Sequence, residues 1–144
     1  MKRMTTLAAA LLGLTLVAGA ASADVIDERQ KGFKQHVENM KAVKAAVESG
    51  NASAAVAPAT AMVAYAKTVP SLFPEGSGTG DTRALPAIWS DWQGFEKASA
   101  DHIAAVEKLQ AAAQSGDASA LGDQLKATGA TCGACHKPYR AEKN

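Results

Sequence analysis

The chain has 144 residues, sets 15 Lys and Arg against 14 Asp and Glu for a formal net charge of +1, and is only 5% aromatic. That length fits one domain, and the near-neutral balance leaves no basic excess for neutralising phosphates, which excludes nucleic acid as a partner. With few bulky side chains and abundant alanine, a core built from side chains alone is thin, so a cofactor is a natural filler.

The first predicted element is a secretory signal peptide over residues 1–23. Lys2 and Arg3 give the positive start, Leu7 to Ala18 the apolar middle, and Ala21-Ser22-Ala23 the small-residue cleavage pattern. Cleavage places the mature start at Asp24, takes the formal charge to −1 and leaves residues 24–144 as one domain. The apolar run is shorter than the roughly 20 residues a bilayer span needs, so no stable membrane insertion is expected after cleavage.

Four helical segments come next, and strand periodicity is nearly absent. In the first, about Val25 to Glu48, the residues Ile26, Phe33, Val37, Met40, Val43 and Val47 recur at three- and four-residue steps and are expected to face inward. The second runs from Asn51 or Ser53 to Thr68, with Ala55, Ala59, Met62, Ala66 and Val69 inward; Pro58 forces a late start or a kink. The third, Ala87 to Ser115, buries Ile88, Trp92, Phe95, Ile103, Val106 and Leu109. The fourth, Asp117 towards Tyr139, sets Leu121, Leu125, Thr128, Cys132, Cys135 and Tyr139 on one face.

Two connections share one phrase, Ser49-Gly50-Asn51-Ala52-Ser53-Ala54 and Ser115-Gly116-Asp117-Ala118-Ser119-Ala120. In each, glycine can take the left-handed helix end, and Asn51 or Asp117 can cap the next helix. Between the second and third helices, Pro70 to Pro86 holds three prolines and three glycines and cannot be regular helix. The expected fold is therefore all α, an antiparallel up-down-up-down four-helix bundle with a long loop between helices 2 and 3.

Cys132-Gly-Ala-Cys135-His136 is a C-x-x-C-H motif. Two thiols at this spacing add across haem vinyl groups as thioethers, and the adjacent imidazole, His136, becomes the iron's proximal ligand. A thioredoxin-like dithiol belongs near a βαβ unit and a zinc site needs a second ligand pair, neither of which is visible; a plain disulfide is the remaining alternative. Export fits the haem reading, because c-type haem is attached outside the cytoplasm. The expected cofactor is one covalently attached haem c.

A haem motif near the C-terminus of a four-helix pattern resembles the class II cytochromes c, the cytochrome c prime family and its low-spin relatives, over the whole mature chain. Cys132 to Arg140 is similar to the family's C-terminal signature, which implies that Arg140 sits beside the proximal face; Pro138 is less usual there. Arg29-Gln30-Lys-Gly-Phe33 is similar to the family's Arg-Gln pair, implying that Arg29 and Gln30 contact haem propionates and that Phe33 covers the distal iron face. Val69 to Pro74 and Gly80 to Trp89 resemble the family's loop between helices two and three, implying that Asp81 contacts the haem.

Phe33 has no lone pair to donate, so the resemblance implies a five-coordinate haem that binds nitric oxide or carbon monoxide. His36, Met40 and Met62 are the rival sixth ligands, which would give a low-spin electron carrier; His102 reads as a partly exposed helix residue. No constellation of nucleophile, base and oxyanion donors accompanies the haem motif, so turnover is not expected. The expected protein is a periplasmic one-electron carrier that meets small redox partner proteins and diatomic gases, with nitric oxide scavenging or sensing as the alternative. The resemblance also implies a homodimer through the first two helices, whose faces carry Ala42, Ala45, Ala46, Ala54 and Ala61.

Overall fold

The computed structural model describes residues 17–143; residues 1–16, most of the predicted signal peptide, lie outside the described residues. Helix α1 spans Val17–Glu48, starting upstream of the predicted mature start. Gly50, at φ +67°, ends it in a Schellman turn, with Asn51 N–H donating to Ala46 O and Gly50 N–H to Val47 O, each at 3.0 Å. A 3₁₀ turn, Ala52–Ala55, leads into α2, Val56–Thr68. Pro58 falls in the first turn of α2, where its missing N–H breaks no bond, so the late start replaces the kink.

A second 3₁₀ turn, Val69–Leu72, opens the long loop. The predicted third helix is two pieces. A short α3, Ala87–Ser90, stops at Asp91, which leaves helical geometry (φ −126°, ψ 56°) and caps α4, Trp92–Ser115, by accepting from Gly94 N–H at 3.3 Å. The sequence reading missed this because nothing in the apolar period marks Asp91 as a cap. Gly116 (φ +77°) then ends α4, and Asp117 caps α5, Ala118–Tyr139, by accepting from Ser119 N–H (2.9 Å) and Ala120 N–H (3.0 Å). Asn51 does not act alike: it makes no side-chain cap bond, and its Oδ1 instead accepts from Ser53 Oγ.

The long helices α1, α2, α4 and α5 form the four-helix bundle, and the core falls into two clusters. An alanine-rich one joins Val43, Ala46, Ala59, Met62, Leu109 and Leu121, with Met40 packed against it. The other, around the long loop and the end of α5, is aromatic, with Phe73, Phe95 and Tyr139. Phe95 meets Phe73 and Tyr139 edge-on at 5.0 and 5.5 Å between centroids, a favoured aromatic geometry.

Helix α1 corrects the apolar stripe. Phe33 is 37% and Val37 52% exposed, and the inward positions are Ile26, Arg29, His36, Val43 and Ala46. Two polar residues, Arg29 and His36, join the buried face, each with a built-in hydrogen-bond partner that a hydrophobicity pattern cannot show. Ala46, expected on the outer dimer face, belongs to the core, whereas Ala42, Ala45, Ala54 and Ala61 are exposed.

Candidate cofactor site

The α5 register brings Cys132 and Cys135 to half-buried positions on its inner side, with His136 beside them. Burial pushes both thiols up, Cys135 further raised by Cys132, while Arg140 pulls the other way. The His136 imidazole is lowered first by burial and then by Arg140, Arg83 and His102, so it is held neutral with a lone pair available for a metal. Pro138 does not stop the helix before Tyr139; Arg140 N–H still reaches His136 O at 2.9 Å.

The segment beyond α5 is tied to the long loop. Arg140 pairs with Ala84 in an isolated antiparallel bridge, flanked by Leu85 N–H to Tyr139 O (3.0 Å) and Ala141 N–H to Arg83 O (2.8 Å). Tyr139 Oη donates to Asp91 Oδ2 at 2.8 Å, fastening α5 to the start of α4. The motif's C-terminal end is therefore fixed from two sides.

On α1, Arg29 is only 3% exposed and has no carboxylate among its bonded partners. Its guanidinium donates to Leu72 O (3.3 Å), Ser77 Oγ (3.1 Å), Ser77 O (2.7 Å) and Thr82 Oγ1 (2.7 Å) and lies 4.4 Å over the Phe73 ring. Gln30 Nε2 donates to Asp81 O at 2.6 Å, which ties α1 to the loop at Asp81. The Arg-Gln pair thus clamps the long loop.

Phe33 packs edge-on against Tyr65 at 5.4 Å, and Tyr65 Oη donates to Arg29 O at 2.9 Å. Gly32 makes this approach possible, since a Cβ there would stand 2.0 Å from the Tyr65 ring. His36, 6% exposed, sits next to Tyr65 and meets His102 from α4, their Nε2 atoms 3.0 Å apart. His102 Nδ1 is 2.7 Å from Thr131 Oγ1 on α5. The role of His102, of Thr131 and of the loop acceptors Ser77 and Thr82 was missed. The seven-residue spacing from Arg29 to His36 to Val43 was the available signal, because it marks one helix face.

Burial and the neighbouring His102 lower His36 to about 4, and burial lowers His102 as well. The folded value of His36 lies below the unfolded one near 6.5, so between those values the unfolded chain binds more protons and acid favours unfolding. Stability should fall by about 3 kcal/mol from His36 alone as pH drops from about 6.5 to 4, and no further below that. Urea midpoints of the haem-loaded protein at pH 7.5 and 4.5 check this, and His36→Leu should flatten the difference; equal slopes for both proteins would show that His36 is not held neutral.

The site fits a covalently attached haem: two thiols one turn apart and a neutral imidazole next in sequence, with a buried nitrogen, His36 Nδ1, that has no partner among the described residues. Among the described residues no group of three His, Cys, Asp or Glu side chains is placed to hold a bare metal ion. A four-helix bundle carrying C-x-x-C-H on the inner side of its last helix defines the class of bundle-type c cytochromes.

The comparisons narrow this class. The family model described as cytochrome C' matches residues 24–140, and the chain belongs to the cytochrome c prime family, which carries covalent c-type haem and comprises haem-binding electron carriers rather than enzymes. The chain is 38% identical to a cytochrome c' of Rhodospirillum rubrum, over 99% of this chain and 100% of that one. A solved cytochrome c' described by an unusual ligand-controlled dimer dissociation superposes with a TM-score of 0.78 at 28% identity, covering 91% of this chain and 100% of that one. A nitric oxide complex of a cytochrome c prime mutant from Alcaligenes xylosoxidans superposes with a TM-score of 0.78 at 26% identity, over 85% and 97% of the two chains.

Proposed function

We propose that the protein is a periplasmic one-electron carrier whose haem is joined to Cys132 and Cys135 and ligated by His136, leaving the opposite iron face open to nitric oxide or carbon monoxide. Bound there, the haem supplies reversible one-electron chemistry and a gas-binding metal. The residues do the rest. Arg140 and Arg83 place positive charge beside His136, Arg29 and Gln30 hold the loop with Asp81, and Phe33, edge-on to Tyr65, covers the open face.

One observation carries the five-coordinate reading: the rival ligands are engaged elsewhere. Met62 is buried inside the alanine-rich cluster, Met40 packs against it, and His36 Nε2 is bound to His102. The nitric oxide complex of a relative supports gas binding, and the relative with ligand-controlled dimer dissociation supports a homodimer through the exposed alanines of α1 and α2. The family match opening at residue 24 supports cleavage after Ala23 and hence export to the periplasm, where small redox proteins are the partners.

The dithionite-reduced protein should show a high-spin absorption spectrum and bind carbon monoxide without displacing a protein ligand. Phe33→Met should drive it towards low spin. A low-spin native spectrum unaltered by carbon monoxide would overturn the open-face reading.

A further inference from the structure

His36 and His102 meet in the band between the alanine-rich and aromatic clusters, and their hydrogen bonds fix which nitrogens carry protons. Thr131 decides the first of them, because its Oγ1 lies 2.7 Å from Thr128 O. A carbonyl only accepts, so the single hydroxyl proton of Thr131 is directed there, and its oxygen must accept from His102. His102 therefore carries its proton on Nδ1. In a neutral ring that leaves His102 Nε2 as a bare acceptor, and His36 must supply the proton between them, from its own Nε2. His36 Nδ1 is then an unprotonated lone pair, consistent with its being buried and without a partner.

This arrangement uses up the unhindered nitrogen of His36. Nε2, at the tip of the ring, is protonated and committed to His102, while Nδ1, next to the Cβ branch, is the poorer approach to a metal. We propose that His102, oriented by Thr131, is a latch that holds His36 off the haem iron and so sets the coordination number of the protein. His102 is a positioning residue here, acting through His36. Thr131 is the anchor that makes the latch one-directional, because it dictates the His102 tautomer. His36 and Phe33 pack against the same Tyr65 ring, at 5.7 and 5.4 Å between centroids, so an unlatched His36 imidazole lies beside the side chain proposed to cover the open iron face. Sequence resemblance does not contain this device; it arises from three side chains on α1, α4 and α5.

The inference rests on the open-face reading, and the experiment separates the two. Ferric and ferrous absorption and electron paramagnetic resonance spectra are compared for the haem-loaded native protein, His102→Ala, His102→Phe and the double variant His36→Ala/His102→Ala. The native protein should be high spin, both His102 variants should shift to low spin with impaired carbon monoxide binding, and the double variant should return to high spin. His102→Phe preserves side-chain bulk should the alanine variant fold poorly. In the diamagnetic carbon monoxide form, nitrogen-15 spectra of labelled histidine should show His36 protonated at Nε2 and His102 at Nδ1. A native protein already low spin overturns the open-face reading and the latch together. A high-spin native protein whose His102 variants remain high spin, or whose His36 is protonated at Nδ1, overturns the latch alone.

Discussion

Arg29→Met should destabilise the folded protein by about 3 kcal/mol, even though methionine matches much of the lost volume. Removing the cation also removes its desolvation, which burial makes costly enough to lower the Arg29 guanidinium below its ordinary range. What remains is worse. Leu72 O and Ser77 O accept from the guanidinium in a buried setting, and a thioether chain gives them no donor. Two stranded carbonyls at about 1–3 kcal/mol each outweigh the recovered desolvation. The Phe73 ring loses its cation as well, and the loop that α5 leans on through Leu85 and Arg83 loses its tie to α1.

Arg29→Lys should rescue little of this. Lysine is a point charge on a flexible stem, and the four acceptors around Arg29 are spread over both terminal nitrogens of a planar fork. Urea unfolding gives the stability, and amide exchange at Ser77 reports whether the loop is released. Native-like stability in the methionine variant, with Ser77 still protected, would mean the loop holds itself.

The same residue shows what the sequence could and could not tell. Helix ends were legible because their causes are local: Gly50 and Gly116 take positive φ, and Asp117 caps the two N–H groups just after it. The C-x-x-C-H motif was legible because its chemistry is fixed by spacing. The inward face of α1 was not. A pattern that scores side chains by hydrophobicity puts Arg29 and His36 outside, since it has no knowledge of Ser77, Thr82 or His102 waiting across the bundle. Those acceptors lie 48, 53 and 66 residues away in sequence, and only the folded chain brings them together. Family resemblance marked Arg29 and Gln30 as site residues; their bonds to the loop, which the sequence does not show, appear only in the folded chain.

Replacing both Cys132 and Cys135 with alanine should abolish covalent haem and leave a largely unfolded chain. The reason lies in how the core is divided. Its alanine-rich cluster offers small side chains that each bury little area, and a domain of this size depends on filling its interior. The aromatic cluster is bulkier but is built on the loop and the end of α5, with Cys135 packed against it. Between the clusters lies the polar band of His36, His102, Ser99 and Thr128, where a buried imidazole nitrogen goes without a partner. Such a band contributes little hydrophobic stabilisation by itself. A large planar cofactor tied to α5 stays with the unfolded chain as well, but it buries its apolar faces only when the chain is folded, so losing it removes that burial and shifts the equilibrium towards the unfolded chain. A haem-specific stain on a denaturing gel reads out attachment, and circular dichroism during thermal unfolding reads out the fold. A stable helical apoprotein that unfolds cooperatively would show that the two clusters suffice without the cofactor.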